Sequence, residues 1–362
     1  MKAAIFHGPG KPLTIEDVSI DNPGPHEVLI RTAAVGLCHS DLHYMEGSYS
    51  FAAPAVLGHE AAGVVEKVGG HVVGLSPGDH VISCLTVFCG HCDFCTTGRP
   101  FNCDHQHETA RRADQAPRLR RDGTPVHQFY ELSAFAEQML VHEHAVVKIR
   151  PDMPLDRAAL IGCAVTTGVG AVANTARIEM GATVAVIGCG GVGLSAVNGA
   201  AIAGAGRIIA IDIQDNKLDL ARELGATDTV NAAACDPVEA VRELTGGGVE
   251  YSFEALGLKK TSEQAYEMLR RSGVATIIGM VPEGQKLEID AASLLYEKRI
   301  QGSNMGSTRF RVDMPRYVDF YLAGKLHLDR MISRRITLDQ INEGFDELRS
   351  GRFARSVITF PQ

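Results

Sequence analysis

Residues 183–212, TVAVIGCGGVGLSAVNGAAIAGAGRIIAID, constrain this chain more tightly than any other stretch. The opening TVAVI is apolar and β-branched, the pattern of a strand buried on both faces. Gly188, Gly190 and Gly193 then punctuate a turn, with Gly191 and Val192 between the last two, and small residues follow at helical spacing. A second apolar run, 207–211, ends on Asp212, 19 residues past Gly193. Gly188 allows the tight turn, Gly190 lets backbone approach a pyrophosphate, and Gly193 lets helix and strand pack closely. The helix N-terminus offers free N–H groups and a positive dipole to the phosphates. Asp212 stands where a carboxylate accepts the hydrogen bonds of an adenosine ribose. Glycine clusters alone mark many ordinary turns; strand, turn, helix and spaced acid together identify a dinucleotide site.

The 362 residues suggest about two domains at roughly 150 residues each. A formal net charge of −8 and a pI near 6.0 disfavour nucleic acid or an anionic membrane as partner. No apolar run approaches the roughly 18 residues of a membrane span, and residues 1–10 lack the apolar core of a signal peptide. The nine cysteines are unevenly spread, which favours metal and a reducing compartment over disulfides. A cytoplasmic location is expected.

The N-terminal part predicts short strands at 2–6, 13–15, 27–35, 64–68, 81–83 and 138–141, with a turn at Asn22-Pro-Gly-Pro25. That is a compact β domain rather than βαβ units. Alternation of strands and helices begins only after about 164. Strands are expected at 184–188, 207–212, 229–231, 251–255, 274–280 and 300–303, with helices at 217–224, 237–244 and 261–270. Six such strands make a doubly wound parallel sheet. Residues 315–352 return to helical periodicity and are expected to pack back on the first domain. There is no fixed-period repeat and no low-complexity linker.

Cys89, Cys92, Cys95 and Cys103 follow the spacing C-x2-C-x2-C-x7-C. Four thiolates suit a tetrahedral Zn²⁺ with every position filled, a structural site; an iron–sulfur cluster uses four cysteines too. Disulfides among cysteines this close would form small strained rings. His91 lies inside the loop as a bystander. A second, dispersed group comprises Cys38-His39-Ser40-Asp41-Leu42-His43, Gly58-His59-Glu60 and Gly162-Cys163. Two thiolates and one imidazole leave a fourth position open, the makings of a catalytic zinc. Taken singly, a cysteine is more often an apolar filler.

The segments GLCHSDLH, LGHEAAGVVEKVG, the four-cysteine lobe, IGCAVTTGVGAV, GCGGVG and INEGFDELRSGRFARSVITF resemble the zinc-dependent medium-chain alcohol dehydrogenases along essentially the whole chain. The resemblance implies an α/β architecture in two parts. A GroES-like β-rich catalytic domain, 1–163 and 300–362 with a structural zinc lobe at 89–103, surrounds a Rossmann cofactor domain at 164–299. It implies two zinc ions per chain: one structural, and one catalytic on Cys38, His59 and Cys163. Asp41 matches the carboxylate that orients the ligand histidine. Glu60 matches an acid behind the zinc, with a turn-capping role as the plainer reading. Ser40 and His43 match a hydroxyl and an imidazole that carry the alcohol proton to solvent. Thr167 matches a residue at the nicotinamide, Ile278 another cofactor contact, Lys217 one beside the ribose, and Arg355 one on the pyrophosphate. His39 stands where an arginine is common, so NAD should be gripped less firmly. The implied reaction is reversible oxidation of a primary alcohol, with zinc as Lewis acid and NAD as hydride acceptor.

Substrate identity is less constrained. The resemblance puts Leu85, Phe135, Met280 and Asn304 along the pocket, or some of them merely in the core. Primary aliphatic, allylic or aromatic alcohols and their aldehydes are expected. Alternatives within the superfamily are secondary-alcohol/ketone reduction and thiol-adduct oxidation. Against the latter, no arginine follows the zinc lobe, where Cys103 runs into Asp-His-Gln-His107. The insertion 104–128 carries Arg111, Arg112, Arg118, Arg120 and Arg121 and reads as a solvated loop at the site's rim, or as a recognition element for an acidic substrate. A non-catalytic NAD-binding relative and a zinc-finger-like nucleic-acid binder are the readings from other classes. The complete ligand set opposes the first and the acidic charge the second. A homodimer is expected, alternatively a homotetramer.

Overall fold

The computed structural model describes every residue except Ala113, Arg352, Phe353 and Gln362. The chain forms two compact units: Met1–Cys163 with Arg309–Leu322 and Ile332–Gln362, and Ala164–Thr308 with Ala323–Met331.

The first unit is built on the strand Glu27–Gly36, whose EVLIRTAAVG is almost wholly buried. Its neighbours are the antiparallel strands Glu60–Val68, Gln138–His142 and Ser356–Thr359; His80–Ser83, Val146–Lys148 and Arg334–Ile336 extend the sheet to seven strands. A second sheet joins His127–Gln128, Ala55–Val56, Lys2–Phe6 and Thr14–Asp17. The core between them includes Ile30, Leu37, Leu57, Phe129, Phe135 and Phe345. The tail is less helical than its periodicity predicts. Helices Phe310–Leu322 and Ile341–Ser350 are present, but Arg334–Ile336 inside the predicted stretch is a strand, and Ser356–Thr359 beyond it is another. Strands of three or four residues are too short to carry a period of their own.

The second unit holds six parallel strands in the order Asp228–Asn231, Arg207–Asp212, Thr183–Ile187, Val249–Glu254, Leu269–Ile277 and Arg299–Gly302. Strand order reverses at Thr183–Ile187, so the crevice beyond its carboxyl end is where such sheets bind nucleotides. Two of the boundaries that differ from expectation bear on the cofactor crevice. Arg299–Gly302 pairs with Val274–Ile277, so this unit continues to Thr308 and the first resumes at Arg309 rather than at 300. The strand expected at 274–280 ends at Ile277, and Ile278 turns to donate its N–H to the Glu254 carbonyl at 2.8 Å. The helical run Leu155–Ala176 is 22 residues long and apolar enough to cross a membrane, contrary to the sequence expectation. Its most apolar window is 83% buried inside the protein, the pattern of a core helix.

The arginines of 104–128 are another correction, because three of the five are tied down. Arg118 is buried and donates to Glu27 at 2.7 Å, Glu131 at 2.5 Å, Gln128 at 2.9 Å and the Thr109 carbonyl at 2.8 Å. Arg111 bridges Glu27 and Asp21, and Arg121 pairs with Glu16. Composition suggests a solvated loop, but carboxylates some 84 to 105 residues distant in sequence capture these side chains. That leaves little charge free for an acidic substrate.

Burial would raise the Glu27 carboxyl, but the hydrogen bonds and charges of Arg111 and Arg118 overcome it and bring it from 4.5 down to about 2. Because the folded value is depressed, its stabilisation is present above the ordinary pKa and lost as pH falls through the folded one. That amounts to on the order of 3 kcal/mol between about pH 5 and pH 2. Glu27→Gln should therefore show a smaller drop in denaturation free energy between pH 7 and pH 3 than the wild type. An equal drop in both proteins would contradict this role for Glu27.

Candidate active site

Three segments of the first unit converge on one buried point. Cys38 precedes the short helix His39–Glu46, so its sulfur lies at a helix N-terminus, where the dipole favours thiolate. His59 ends the loop that leads into the strand Glu60–Val68. Cys163 sits in a π-turn, Ile161–Val165, inside the helical run, a distortion common at functional sites. A Cβ on its neighbour Gly162 would lie 3.0 Å from the Ser83 carbonyl oxygen and 3.4 Å from the Ala61 nitrogen. Glycine thus brings Cys163 in beside the strand that follows His59.

The ligand atoms of Cys38, His59 and Cys163 lie within 4.8 Å of one another, and all three residues are buried. Asp41, fully buried on the helix, accepts from His59 Nδ1 at 3.1 Å and from the Gly58 N–H at 3.1 Å. The imidazole tautomer is thereby fixed with Nε2 available, and that atom is buried with no hydrogen-bond partner. An orphaned nitrogen facing two thiols is the chemistry of a metal site, and two sulfurs with one nitrogen fit zinc with an open position. The Cys38 thiol is pushed well below its usual range by the hydrogen bond from Cys163, against burial and with help from Arg355 and His59. Burial pushes Glu60 up to about 8, although Arg355 opposes the shift. Glu60 Oε2 lies 3.1 Å from Arg355, whose guanidinium also donates to the Leu37 carbonyl. Arg355 is thus engaged behind the metal-binding set, on Glu60.

Ser40 and His43 share a face of the helix at i, i+3. The Cys38 sulfur is 3.6 Å from the Ser40 hydroxyl, and His43 is half-buried with its ring 6.0 Å from Tyr49. His39 is exposed. Phe135, expected on the pocket wall, is fully buried with its ring 5.8 Å from Phe345; it is core, held there by the close approach of Gly58. Leu85 is half-buried against the same core. On the second unit, Met280 is half-buried and Asn304 exposed.

Two aromatic residues beside the metal-binding set, the half-buried Tyr130 and the core residue Phe129, went unnoticed in the sequence. Phe129 and Tyr130 lie 6.0 and 6.2 Å from the His59 ring, and the Tyr130 hydroxyl bonds that of Tyr44 at 2.9 Å. Burial first, then Tyr44, Asp41 and Cys163, raise the Tyr130 phenol, which stays protonated. The pair is separated by 86 residues, so only the adjacency of Tyr44 to the His39–His43 segment could have hinted at it.

The lobe is a second cluster. The sulfurs of Cys89–Cys95, Cys92–Cys95 and Cys92–Cys103 are 3.9, 3.5 and 3.9 Å apart, close to the roughly 3.8 Å edge of a tetrahedron with 2.3 Å Zn–S bonds. All nine cysteines are free of disulfides. Burial opposes ionisation of Cys89, but the N–H groups of His91 and Cys92 bring it down to about 6. The His91 ring bonds Glu108 at 2.6 Å instead of turning inward.

In the second unit, Gly188 has φ +92°, and a Cβ on Gly193 would lie 1.7 Å from the Gly188 carbonyl oxygen. A Cβ on Gly190 would meet nothing within 4 Å, leaving an open cradle at the N-terminus of the helix Gly191–Ile202. Asp212 accepts from the Cys189 N–H at 2.7 Å through Oδ2 and from Ile213 and Gln214 through Oδ1. One Oδ2 lone pair remains for a ligand hydroxyl. These groups fit a dinucleotide. Thr167 is buried with its hydroxyl 3.3 Å from Met305 sulfur, and Lys217 and Ile278 are half-buried.

Comparison with known proteins agrees with this geometry. Residues 24–151 match the alcohol dehydrogenase GroES-like domain, and residues 191–323 match the zinc-binding dehydrogenase family. The chain is 38% identical to an alcohol dehydrogenase zinc-binding domain protein from Burkholderia ambifaria, with TM-score 0.95 over 100% of this chain and 99% of that one. It is 32% identical to benzyl alcohol dehydrogenase from Acinetobacter calcoaceticus, with TM-score 0.94 and 99% of each chain covered. A protein described as a zinc-binding dehydrogenase from Sinorhizobium meliloti 1021, bound to NADP, is 29% identical with TM-score 0.84 over 99% of each chain.

The lobe geometry predicts a structural metal. Cys92→Ser should reduce bound zinc by one equivalent per chain and lower the melting temperature by about 10 °C or more. Unchanged melting with one zinc fewer would contradict it.

Proposed function

The chain belongs to the zinc-dependent medium-chain alcohol dehydrogenase family, and from that premise we propose that it oxidises primary aromatic alcohols to aldehydes, with NAD as hydride acceptor. One observation carries the proposal: a buried Cys38–His59–Cys163 set with a free imidazole nitrogen lies against the half-buried ring of Tyr130, itself packed on the core residue Phe129. Flat apolar walls favour aromatic substrates through offset or edge-to-face contacts. The similarity to a benzyl alcohol dehydrogenase supports the same class.

Cys38, His59 and Cys163 would hold the catalytic zinc, and the four lobe cysteines a structural one. When bound, zinc supplies the Lewis acidity that lowers an alcohol's pKa, and nicotinamide takes the hydride. Asp41 keeps the His59 Nε2 aimed at the metal position. Ser40 is the first proton acceptor, since a hydroxyl donates and accepts at once. His43 releases the proton to solvent. Gly188, Gly190, Gly191, Val192 and Gly193 cradle the pyrophosphate, Asp212 and Lys217 attend the ribose, and Thr167 and Ile278 the nicotinamide. His39, in place of an arginine, lets the cofactor go readily. Arg355 neutralises Glu60 and the thiolates. A homodimer is the assembly we favour: Arg299–Gly302 is an edge strand, and Leu294, Leu295 and Tyr296 beside it are exposed. Free cysteines throughout suit a cytoplasmic setting.

NADH absorbance with an alcohol panel tests the proposal: benzyl alcohol should surpass ethanol in kcat/KM, and no turnover with any alcohol would refute it. NAD should be preferred over NADP by about 100-fold or more, because Asp212 repels a 2′-phosphate. Asp212→Asn, which removes the charge and keeps the shape, should narrow that ratio; equal use of both cofactors by wild type would contradict the assignment. His43→Gln should slow oxidation about 10- to 100-fold, and Ser40→Ala by more. Added imidazole should restore part of the His43→Gln rate, and an unchanged rate–pH profile would remove His43 from the path.

A further inference from the structure

Tyr130 owes its place to an improbable backbone. Tyr130, Glu131 and Ser133 have φ of +49°, +60° and +60°, the left-handed region that non-glycine residues rarely enter. Three such residues among four persist only where surrounding contacts over-determine them. Those contacts are visible. The Ser133 hydroxyl accepts from the Phe129 N–H at 3.2 Å and donates to the Val56 carbonyl at 3.0 Å. At the other end, Gln128 donates to the Leu140 carbonyl at 3.1 Å. Between them, Arg118 donates from Nη1 to both Gln128 and Glu131. Its Nε and Nη2 are anchored on Glu27 and the Thr109 carbonyl. Four of its five N–H groups are thus satisfied inside the protein, and the side chain is only 3% exposed, so its charge is spent on the fold rather than offered to a ligand.

We propose that Arg118 is a positioning residue for substrate selectivity: anchored in the 104–128 insertion, it clamps the left-handed segment 128–133 and so holds the Tyr130 ring toward His59. The inference rests on Cys38–His59–Cys163 being the alcohol-oxidising centre. It gives the insertion a function that its charge alone does not reveal. The loop does not recognise an acidic substrate; it braces the wall that an aromatic one would meet. With the clamp released, the segment relaxes toward ordinary φ values and Tyr130 turns away. Contacts to a ring are lost, while a two-carbon alcohol, which does not reach the wall, is little affected.

The test is kcat and KM for benzyl alcohol and ethanol, with the Kd of benzamide by calorimetry, in full-length zinc-loaded protein. Arg118→Met would strand the buried Glu27 carboxylate, so Glu131→Ala carries the test, its side chain being 32% exposed. An aromatic contact is worth about 1 kcal/mol, so Glu131→Ala should lower kcat/KM for benzyl alcohol about 5- to 10-fold, chiefly through KM, and for ethanol less than about twofold. Benzamide should weaken in parallel. Arg118→Lys should retain part of the selectivity, and Arg121→Ala, outside the clamp, all of it. On a Tyr130→Leu background, Glu131→Ala should have no further effect on the benzyl-to-ethanol ratio. Equal losses for both alcohols, or a full additional loss on the Tyr130→Leu background, would overturn the proposal. A wild type that oxidises no alcohol would instead refute the functional reading, and benzamide affinity would still decide whether Glu131 and Arg118 position Tyr130.

Discussion

Two thiols, an imidazole and two carboxyl groups are buried together, with the Arg355 guanidinium set against Glu60. Burying unbalanced charge is expensive, and a protein tolerates it only where a partner is supplied. The electrostatics record the tension: Glu60 is driven up to about 8, Cys38 is held down, and the Asp41 Oδ2 and His59 Nε2 atoms lack partners. A divalent ion on Cys38, His59 and Cys163 resolves it. The glycine that admits Cys163, the helix that presents Cys38 and Asp41, and the buried ion pair behind them all follow from that need.

Around this centre, the polar and aromatic shells do different work. Asp41 acts at bonding distance, fixing one tautomer. The aromatic wall acts through shape, and its shape is held by strain that Arg118 and Ser133 restrain. A fold that keeps its chemistry constant can thus vary what it accepts by changing a loop that never touches the ligand.

Much of this was legible in the sequence because its signals are local. The glycine turn and Asp212 lie within one βαβ unit, and the lobe cysteines lie within 15 residues, so backbone geometry alone brings each set together. The parallel pairing of the second unit's strands follows from the same alternation, whereas their order is visible only in the structure. What the sequence hid depends on distant partners. Arg111, Arg118 and Arg121 look solvated until Glu27, Asp21 and Glu16 are found beside them. Tyr130 lies beside His59 with a left-handed φ, which no propensity predicts for tyrosine. Phe135 reads as a pocket residue by resemblance, yet the approach of Gly58 and Phe345 makes it core. Arg334–Ile336 is hidden inside a helical stretch because three residues paired to a buried neighbour leave no periodic trace.

With zinc bound, the Cys38–His59–Cys163 centre would be open to substrate and the four-cysteine centre closed. Cobalt(II) substituted for zinc makes both visible through thiolate-to-metal and ligand-field absorption. With benzamide, or with benzyl alcohol and NAD, the account predicts that the bands of the Cys38–His59–Cys163 ion shift while those of the lobe ion stay fixed. A cobalt protein that turns over but whose spectrum ignores every ligand would contradict it.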